Sequence, residues 1–448
     1  MLRKNQLLNL TCDALGADME GVCRADGEAV FVPGLLPGET ATVRIVKEQK
    51  RFAFGRMESR PSPVSSVRRQ PDCPAWPRCG GCTCRHMTYA ATLEAKRQQV
   101  AGCFARIAHI PVEVPPVLGM DTPDSYRNKT ALPFGGTPEA PVCGFFAPRS
   151  HTIIPAEGCP NAMAPSGDIA REVLRFMREH RIAPYVEETH TGLMRHLVVR
   201  VNRRGQAMVT LVINGDTLPF ADELAERLAP LGMVSLGISV NTERTNVIFG
   251  RTFRTLYGPE VLEDTLCGLQ FRLSAAAFFQ VNPAQTEALY RTALDFAAPG
   301  PQDLVCDVYC GAGTISLLMA QRAGRVLGIE IVAPAVENAR ENARLNHVTN
   351  AEFRTGAAEA LLPQLVKEGL RPDIIVVDPP RKGLERDVAD AIGTAQPKRI
   401  VYVSCNVATQ ARDAAWLCEY GYRVDRVQPV DMFCWTSGVE NVIALSRP

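Results

Sequence analysis

Two short runs with no polar interruption constrain this chain most. Ile374-Ile375-Val376-Val377 runs into Asp378-Pro379-Pro380-Arg381, and Ile400-Val401-Tyr402-Val403 runs into Ser404-Cys405-Asn406. Continuous apolar runs of this length, bounded by turn residues, read as strands covered on both faces, the habit of a parallel sheet flanked by helices. In an open sheet of that kind ligands bind outside the carboxyl ends of the strands. An acid and a thiol that follow directly on two such strands are therefore placed to meet a ligand. A single cysteine is ordinarily a small core residue, so the case for Cys405 rests on its neighbours.

Those neighbours extend the pattern. From about residue 271 strand-like and helix-like segments alternate, which predicts an α/β unit. Leu304 to Tyr309 is a strand run, followed by Cys310-Gly311-Ala312-Gly313 and then by helical Thr314 to Gln321. Glycines between a strand and a helix let a ligand approach the backbone closely. Val326 to Glu330 is a second strand ending in an acid, 17 residues beyond Gly313. An acid there typically holds a ribose diol. The third glycine of the dinucleotide pattern and the lysine of a phosphate-binding loop are both absent. A stiff turn accounts for Pro379 and Pro380, because proline fixes φ and restricts the residue before it. It leaves Asp378 unexplained.

The first part of the chain reads differently. Residues 5–57 carry strand-like stretches at Gln6 to Cys12, Ala29 to Val32, Glu39 to Val46 and Phe52 to Met57, punctuated by Asp26-Gly27, Pro33-Gly34 and Pro37-Gly38. This predicts a small β-barrel. Arg44, Lys47, Lys50, Arg51, Arg56 and Arg60, then Arg68-Arg69, gather on and after it. The net charge of the 448 residues is +1, so any argument for nucleic acid rests on that local patch, read either as an RNA-binding face or as a solvated surface. A Pro/Ser/Arg-rich linker spans 61–72. Tyr89 to Ile110 has helical spacing, and 125–270 mixes strands with a few helices, including a hairpin from Leu197 to Ile213 turning at Arg203-Arg204-Gly205. Three units follow: 1–60, 61–270 and 271–448.

No apolar run is long enough for a membrane span, and the opening Met1-Leu2-Arg3-Lys4-Asn5-Gln6 lacks the apolar stretch of a secretory signal. Fifteen cysteines without such a signal point to a reducing cytoplasm, with metal-binding or catalytic thiols rather than disulfides. Cys73-x5-Cys79-x2-Cys82, with Cys159 after a long gap, could hold zinc or an iron–sulfur cluster. Cys84 is a rival ligand. The C-x2-C spacing alone leans to zinc, although the second such pair of a zinc ribbon is missing.

A Gly turn, an acid closing the second strand and an Asp-Pro-Pro turn closing a later one together resemble a class I S-adenosylmethionine methyltransferase. With Ser404-Cys405-Asn406 added, the chain is similar to the RNA uracil-5-methyltransferases. Ser274 to Asn282, Asp307 to Gly313, Asp378 to Gly383, Val403 to Asn406, and Asp431-Met432-Phe433 with Val439-Glu440 match that family's motifs in order. The resemblance implies a Rossmann-like catalytic domain at 271–448, an N-terminal OB-like TRAM barrel at 1–60, and a mixed central domain at 61–270 carrying a [4Fe-4S] cluster on Cys73, Cys79, Cys82 and Cys159. It leaves Cys84 a bystander. It implies Cys405 as nucleophile toward uracil C6 and Glu440 as the general base. Gln280, Tyr309, Glu330 and Asp378 would contact S-adenosyl-L-methionine, and Tyr126-Arg127-Asn128-Lys129 with Arg195-His196 would touch RNA. Barrel and cluster together point to the branch acting on 23S rRNA, in a monomer. Two positions depart from the family pattern: Cys434 stands for a proline and Gly438 for a histidine. Competing readings are a tRNA uracil-5-methyltransferase, a non-catalytic iron–sulfur RNA-binding factor and cytosine-C5 methylation.

Overall fold

The computed structural model describes residues 2–447. Five strands, β1 (Leu7–Leu15), β2 (Gly21–Ala25), β3 (Glu28–Val32), β4 (Thr40–Glu48) and β5 (Phe52–Met57), close into a barrel in the order β1-β2-β3-β5-β4. Alternate residues point inward, as the two-residue period of a strand requires. Leu10, Cys12, Cys23, Val30, Val32, Val43 and Ile45 fill the interior. Sequence spacing anticipates four of these strands; β2 is the addition, its polar Arg24 alternating with buried Cys23.

Beyond the cysteine-rich stretch comes α1 (Tyr89–Cys103), extended by one wider turn at Phe104–Ala108. The central sheet follows. Its strands are β6 (Lys129–Gly136), β7 (Pro141–Phe146), β8 (Ile153–Pro155), β9 (Met194–Val201), β10 (Ala207–Ile213), β11 (Met233–Val240) and β12 (Thr252–Tyr257). Helices α2 (Ser166–Glu179) and α3 (Ala221–Leu228) cover one face, packing Ile169, Val173, Phe176 and Leu224 against Leu197, Val199, Val209 and Leu211. Gly205 turns the β9–β10 hairpin at φ +75°, the left-handed region that favours glycine.

A hairpin, β13 (Leu262–Leu266) and β14 (Leu269–Leu273), leads into α4 (Pro283–Ala297) and the second large sheet. That sheet holds β15 (Leu304–Val308), β16 (Arg325–Glu330), β17 (Ala351–Thr355), β18 (Ile374–Val377), β19 (Arg399–Ser404), β20 (Arg423–Val430) and β21 (Glu440–Ser446). Helices α5 (Thr314–Ala320), α6 (Ala333–Leu345), α7 (Ala358–Lys367), α8 (Arg386–Ala395) and α9 (Val407–Cys418) connect its strands. The order is β17-β16-β15-β18-β19-β21-β20; all neighbours run parallel except β21, which is antiparallel to β19 and β20. This is the α/β architecture expected from the alternation, in the class I methyltransferase form that the family resemblance implies. β18 is wholly buried, as its unbroken Ile-Ile-Val-Val requires. Each such side chain removed from water contributes about 1.5–3 kcal/mol.

Packing cuts across a linear division of the chain. Leu266, Leu269, Phe271 and Leu273 of the β13–β14 hairpin lie in the core of the second sheet, although most of that hairpin precedes residue 271. Val100, Phe104 and Val114, between barrel and central sheet in sequence, pack on its other face.

Candidate active site

The strand order reverses between β15 and β18, so the connections leave the sheet in opposite directions and open a crevice at the strands' carboxyl ends. Tyr309, Glu330, Asp378 and Cys405 all stand on that edge, at or just past the ends of β15, β16, β18 and β19. Glu440 joins them for a different reason. β21 runs antiparallel, so its first residue arrives where its parallel neighbours finish. Ser404 pairs with Asn441, and Cys405 and Glu440 are the next residues beyond that last pair, near enough for Glu440 to act on the Cys405 thiol.

Local bonds hold this edge. Asn406 caps α9, its Oδ1 accepting from the backbone N–H of Ala408 at 3.1 Å. Its Nδ2 donates to the carbonyl of Arg381 at 2.9 Å, which ties the cysteine turn to the Asp-Pro-Pro-Arg turn. Fully buried Gln410 donates to the carbonyls of Tyr402 (2.9 Å) and Asn441 (3.0 Å), and Asn441 Nδ2 donates back to Gln410 Oε1 (2.7 Å). Strands β19 and β21 are thus tied together next to Cys405 and Glu440. Gly313, at φ +80°, admits no side chain: an added Cβ would stand 3.0 Å from Ala339 Cβ and 3.1 Å from the Phe353 ring.

The electrostatics are those of crowded, desolvated acids. Burial pushes the Glu440 carboxyl up to about 8, nearby Asp378 adds to this, and Arg381 opposes it. Burial likewise raises Asp378 to about 7, helped by Asp307, and Asp307 to about 7. Asp307 Oδ1 has no hydrogen-bond partner. The Cys405 thiol is held above its ordinary value by burial, then by Glu440 and Asp378, with Arg381 again opposing. Asp378 and Arg381 thus act on both Cys405 and Glu440. Uncompensated carboxylates around a crevice suit a cationic ligand. Glu330 accepts from the N–H groups of Gly311 (3.1 Å) and Val332 (2.9 Å), which fixes its carboxylate at the end of β16. Gln280 is half-buried, and its carbonyl accepts from Asn128 Nδ2 at 3.1 Å.

Sequence reasoning left Arg381 without a role, although it stands inside a quoted motif. The central-domain residues divide. Asn128 latches the 280–281 segment, whereas Arg195 is buried and spends its guanidinium on the carbonyls of Asn241 (2.7 Å) and Glu243 (2.8 Å). Arg195 is therefore an internal tie rather than a free RNA contact. On the barrel, Arg44 and Arg56 pair with Glu58, Arg68 with buried Glu39, and Arg69 with Asp72. Lys47, Lys50, Arg51 and Arg60 are exposed. Outside the barrel interior Phe31, Phe52 and Phe54 form a group with centroids 5.6–5.9 Å apart, Phe52 meeting each of the other two edge to face.

Cys159, from a distant segment, lies near enough to Cys82 and Cys79 for their thiols to influence one another. Burial pushes Cys82 up to about 12, and neighbouring Cys159 and Cys79 add to it. Cys73 and Cys79 act in the same way on Cys159. A closed tetrahedral zinc site would draw its sulfurs to about 3.8 Å from one another. Among the described residues, no three of these cysteine sulfurs lie within 4.8 Å of each other. Cys84 is fully buried beside Met19, Leu36 and Met87, apart from the other four.

A model of the tRNA (uracil-5-)-methyltransferase family matches residues 257–448, and a TRAM-domain model matches residues 3–57. An uncharacterized RNA methyltransferase of Listeria innocua is 42% identical over 449 residues, covering 100% of this chain and 99% of its own. The chain belongs to the RNA uracil-5-methyltransferase family. A second relative in this family, an uncharacterized RNA methyltransferase of Clostridium tetani, is 40% identical, covering 99% of this chain and 97% of its own. The Pyrococcus abyssi tRNA (uracil-54, C5)-methyltransferase, solved with S-adenosyl-L-homocysteine, is similar in fold with a TM-score of 0.79 at 26% identity. The match covers 98% of this chain and 100% of that one. As an RNA uracil-5-methyltransferase this chain uses S-adenosylmethionine, acts on RNA and carries a TRAM barrel. Among the described residues no helix is long and apolar enough to cross a membrane.

Proposed function

We propose that the chain methylates C5 of a uridine in RNA through a covalent adduct between Cys405 and C6. The observation that carries this reading is the apposition of Cys405 and Glu440 across β19 and β21, beside Asp378. Uracil C5 is a poor nucleophile, and covalent addition at the neighbouring carbon divides one hard step into easier ones. Cys405, as thiolate, forms the S–C6 bond, and the C5–C6 π pair moves toward the O4 carbonyl, giving an enolate. S-adenosylmethionine, when bound, supplies an electrophilic methyl on a cationic sulfonium. C5 would take that methyl with its restored electron pair, the S–CH3 bonding pair remaining on sulfur as neutral S-adenosylhomocysteine leaves. Glu440 then removes the C5 proton, the C5–C6 double bond re-forms, and the Cys405 thiolate leaves. By the family resemblance Gln280, Tyr309, Glu330 and Asp378 would contact the cofactor, Glu330 taking the ribose hydroxyls and Asp378 serving cofactor or base.

The target nucleotide leaves any stack to reach the crevice, as base-modifying enzymes require. Phe31, Phe52 and Phe54 beside Lys47, Lys50 and Arg51 provide aromatic and cationic groups of the kind that hold single-stranded RNA. Cys73, Cys79, Cys82 and Cys159 would hold a [4Fe-4S] cluster, for which uracil methylation has no electron-transfer need; its role is structural. The substrate reading is 23S rRNA. A second reading, tRNA, is favoured by the archaeal tRNA enzyme, whose whole length aligns with this chain.

Cys405→Ala should bind S-adenosylmethionine and lose methylation; retained turnover would remove Cys405 as nucleophile. Glu440→Gln should accumulate a protein–RNA adduct that survives denaturation, and its absence would remove Glu440 as base. Mass mapping of 23S rRNA and tRNA from a deletion strain decides the substrate: loss of 5-methyluridine from tRNA alone would replace the ribosomal reading.

A further inference from the structure

Glu440 opens β21, and the segment before it, residues 431–439, carries no regular secondary structure. It is nevertheless buried and tied at several points to parts of the chain far away in sequence. Asp431 is fully buried against fully buried Lys96 of α1, which also donates to the carbonyl of Phe433 at 3.1 Å. Tyr89 donates to Asp431 Oδ2 at 2.6 Å, and Tyr126 donates to the carbonyl of Cys434 at 3.2 Å.

The densest attachment is at Trp435. Its ring is 2% exposed and its backbone sits at φ +65°, a conformation a bulky residue adopts only when its surroundings impose it. Its carbonyl accepts from the N–H groups of Thr83 and Cys84, both at 3.0 Å. Its Nε1 donates to Asp124 Oδ1 at 3.0 Å. Buried Arg85 packs its guanidinium 5.2 Å from the ring and donates to Asp72 (2.7 Å), Asn161 (2.9 Å) and the same Asp124 oxygen (2.8 Å). Asn161 in turn donates to Cys82 Sγ at 3.3 Å. A continuous chain of contacts therefore runs from the cysteine-rich segment to Trp435.

From Trp435 to Glu440 the path is short and stiff. Thr436 Oγ1 donates to the carbonyl of Phe433 (2.8 Å) and accepts from the N–H of Gly438 (3.2 Å), closing the turn on itself. Gly438 has no side chain with which to anchor itself. Trp435 is thus the last tryptophan-sized anchor before the base.

We propose that Trp435 is a positioning residue for Glu440, held by Arg85, Asp124 and the backbone of the cysteine-rich segment. This rests on Glu440 being the base. The cysteine-rich segment then serves catalysis geometrically, by setting where the carboxylate meets the C5 proton.

The test is Trp435→Phe, which keeps an aromatic ring and removes the donor to Asp124, with Asp124→Asn as the independent variant should the first fail to fold. S-adenosylmethionine binding and the KM for RNA should stay within about twofold while kcat falls about tenfold to a hundredfold, the scale of a small misplacement of a reacting group. The decisive readout is a denaturation-resistant adduct carrying the labelled methyl group, because methyl transfer precedes the step that needs the base. Wild-type turnover in both variants, or lost turnover without adduct while Glu440→Gln traps one, overturns the proposal. Failure of Glu440→Gln itself to trap an adduct overturns the reading of Glu440 instead, and the positioning role with it.

Discussion

In the proposed mechanism Cys405 and Glu440 both have to lose a proton before they act, and both stand where the protein holds that proton more tightly than water would. Burial dominates at each; Glu440 and Asp378 add to it at Cys405, and Asp378 adds to it at Glu440. The sign follows directly. A carboxyl raised to about 8 is mostly protonated at pH 7, so kcat/KM for RNA should climb as pH rises through about 7 to 8, without a falling limb from these two groups over that interval. Arg381 opposes the shift at both residues, so Arg381→Met should move the rising limb to higher pH. A pH–rate profile checks this, and a limb that stays in place or moves down removes Arg381 from the pair's surroundings. Cys405, Asp378 and Glu330 were legible in the sequence because each ends an apolar run. Glu440 was legible only through its family motif, since it begins a strand and so breaks that rule. Arg381 gave no signal, because an exposed arginine beside a turn is the commonest kind.

At the scale of elements, α1 shows how a correct helix can hide its most consequential residue. The spacing of Leu93, Val100, Phe104 and Ile107 predicts the helix and an apolar stripe. The buried line is instead Thr92, Lys96, Val100 and Phe104, with Ile107 44% exposed. A lysine on the buried side is unreadable from periodicity, because its partner Asp431 lies 335 positions away. Removing one member of such a pair leaves the other charge buried and uncompensated, at a cost of about 3–5 kcal/mol. Lys96→Met should lower stability by that amount, and Lys96→Met combined with Asp431→Leu should recover part of it. Denaturant midpoints measure both. A single variant within about 1 kcal/mol of wild type would mean that the pair does not bear on this junction.

At the scale of the molecule, the cysteine-rich segment, the central domain and the catalytic sheet meet at one place. Cys73, Cys79 and Cys82 precede α1, Cys159 precedes α2, and the contacts of Arg85 and Asn161 carry that module to the loop before β21. Protein purified without oxygen should contain about four irons per chain and absorb broadly in the visible range. Stoichiometric zinc would refute the cluster. Loss of the metal should also loosen the loop around Trp435, which increased amide exchange at residues 431–439 would register.

The alternation of buried runs and polar ends specified an α/β unit, the edge at which such sheets bind ligands, and three of the residues on that edge, Glu330, Asp378 and Cys405. It did so because a strand buried on both faces admits almost no polar residue, and its turn is where polar residues return. Strand pairing and long-range packing lay beyond it. Only the tertiary structure turned β21 against its neighbours, so that a residue at the start of a strand faces one just past the end of another. It also drew α1 and the β13–β14 hairpin into the catalytic core and seated Trp435 in the cysteine-rich segment. These features depend on backbone hydrogen bonds and desolvated charge pairs between residues hundreds of positions apart, and local periodicity carries no record of such partners.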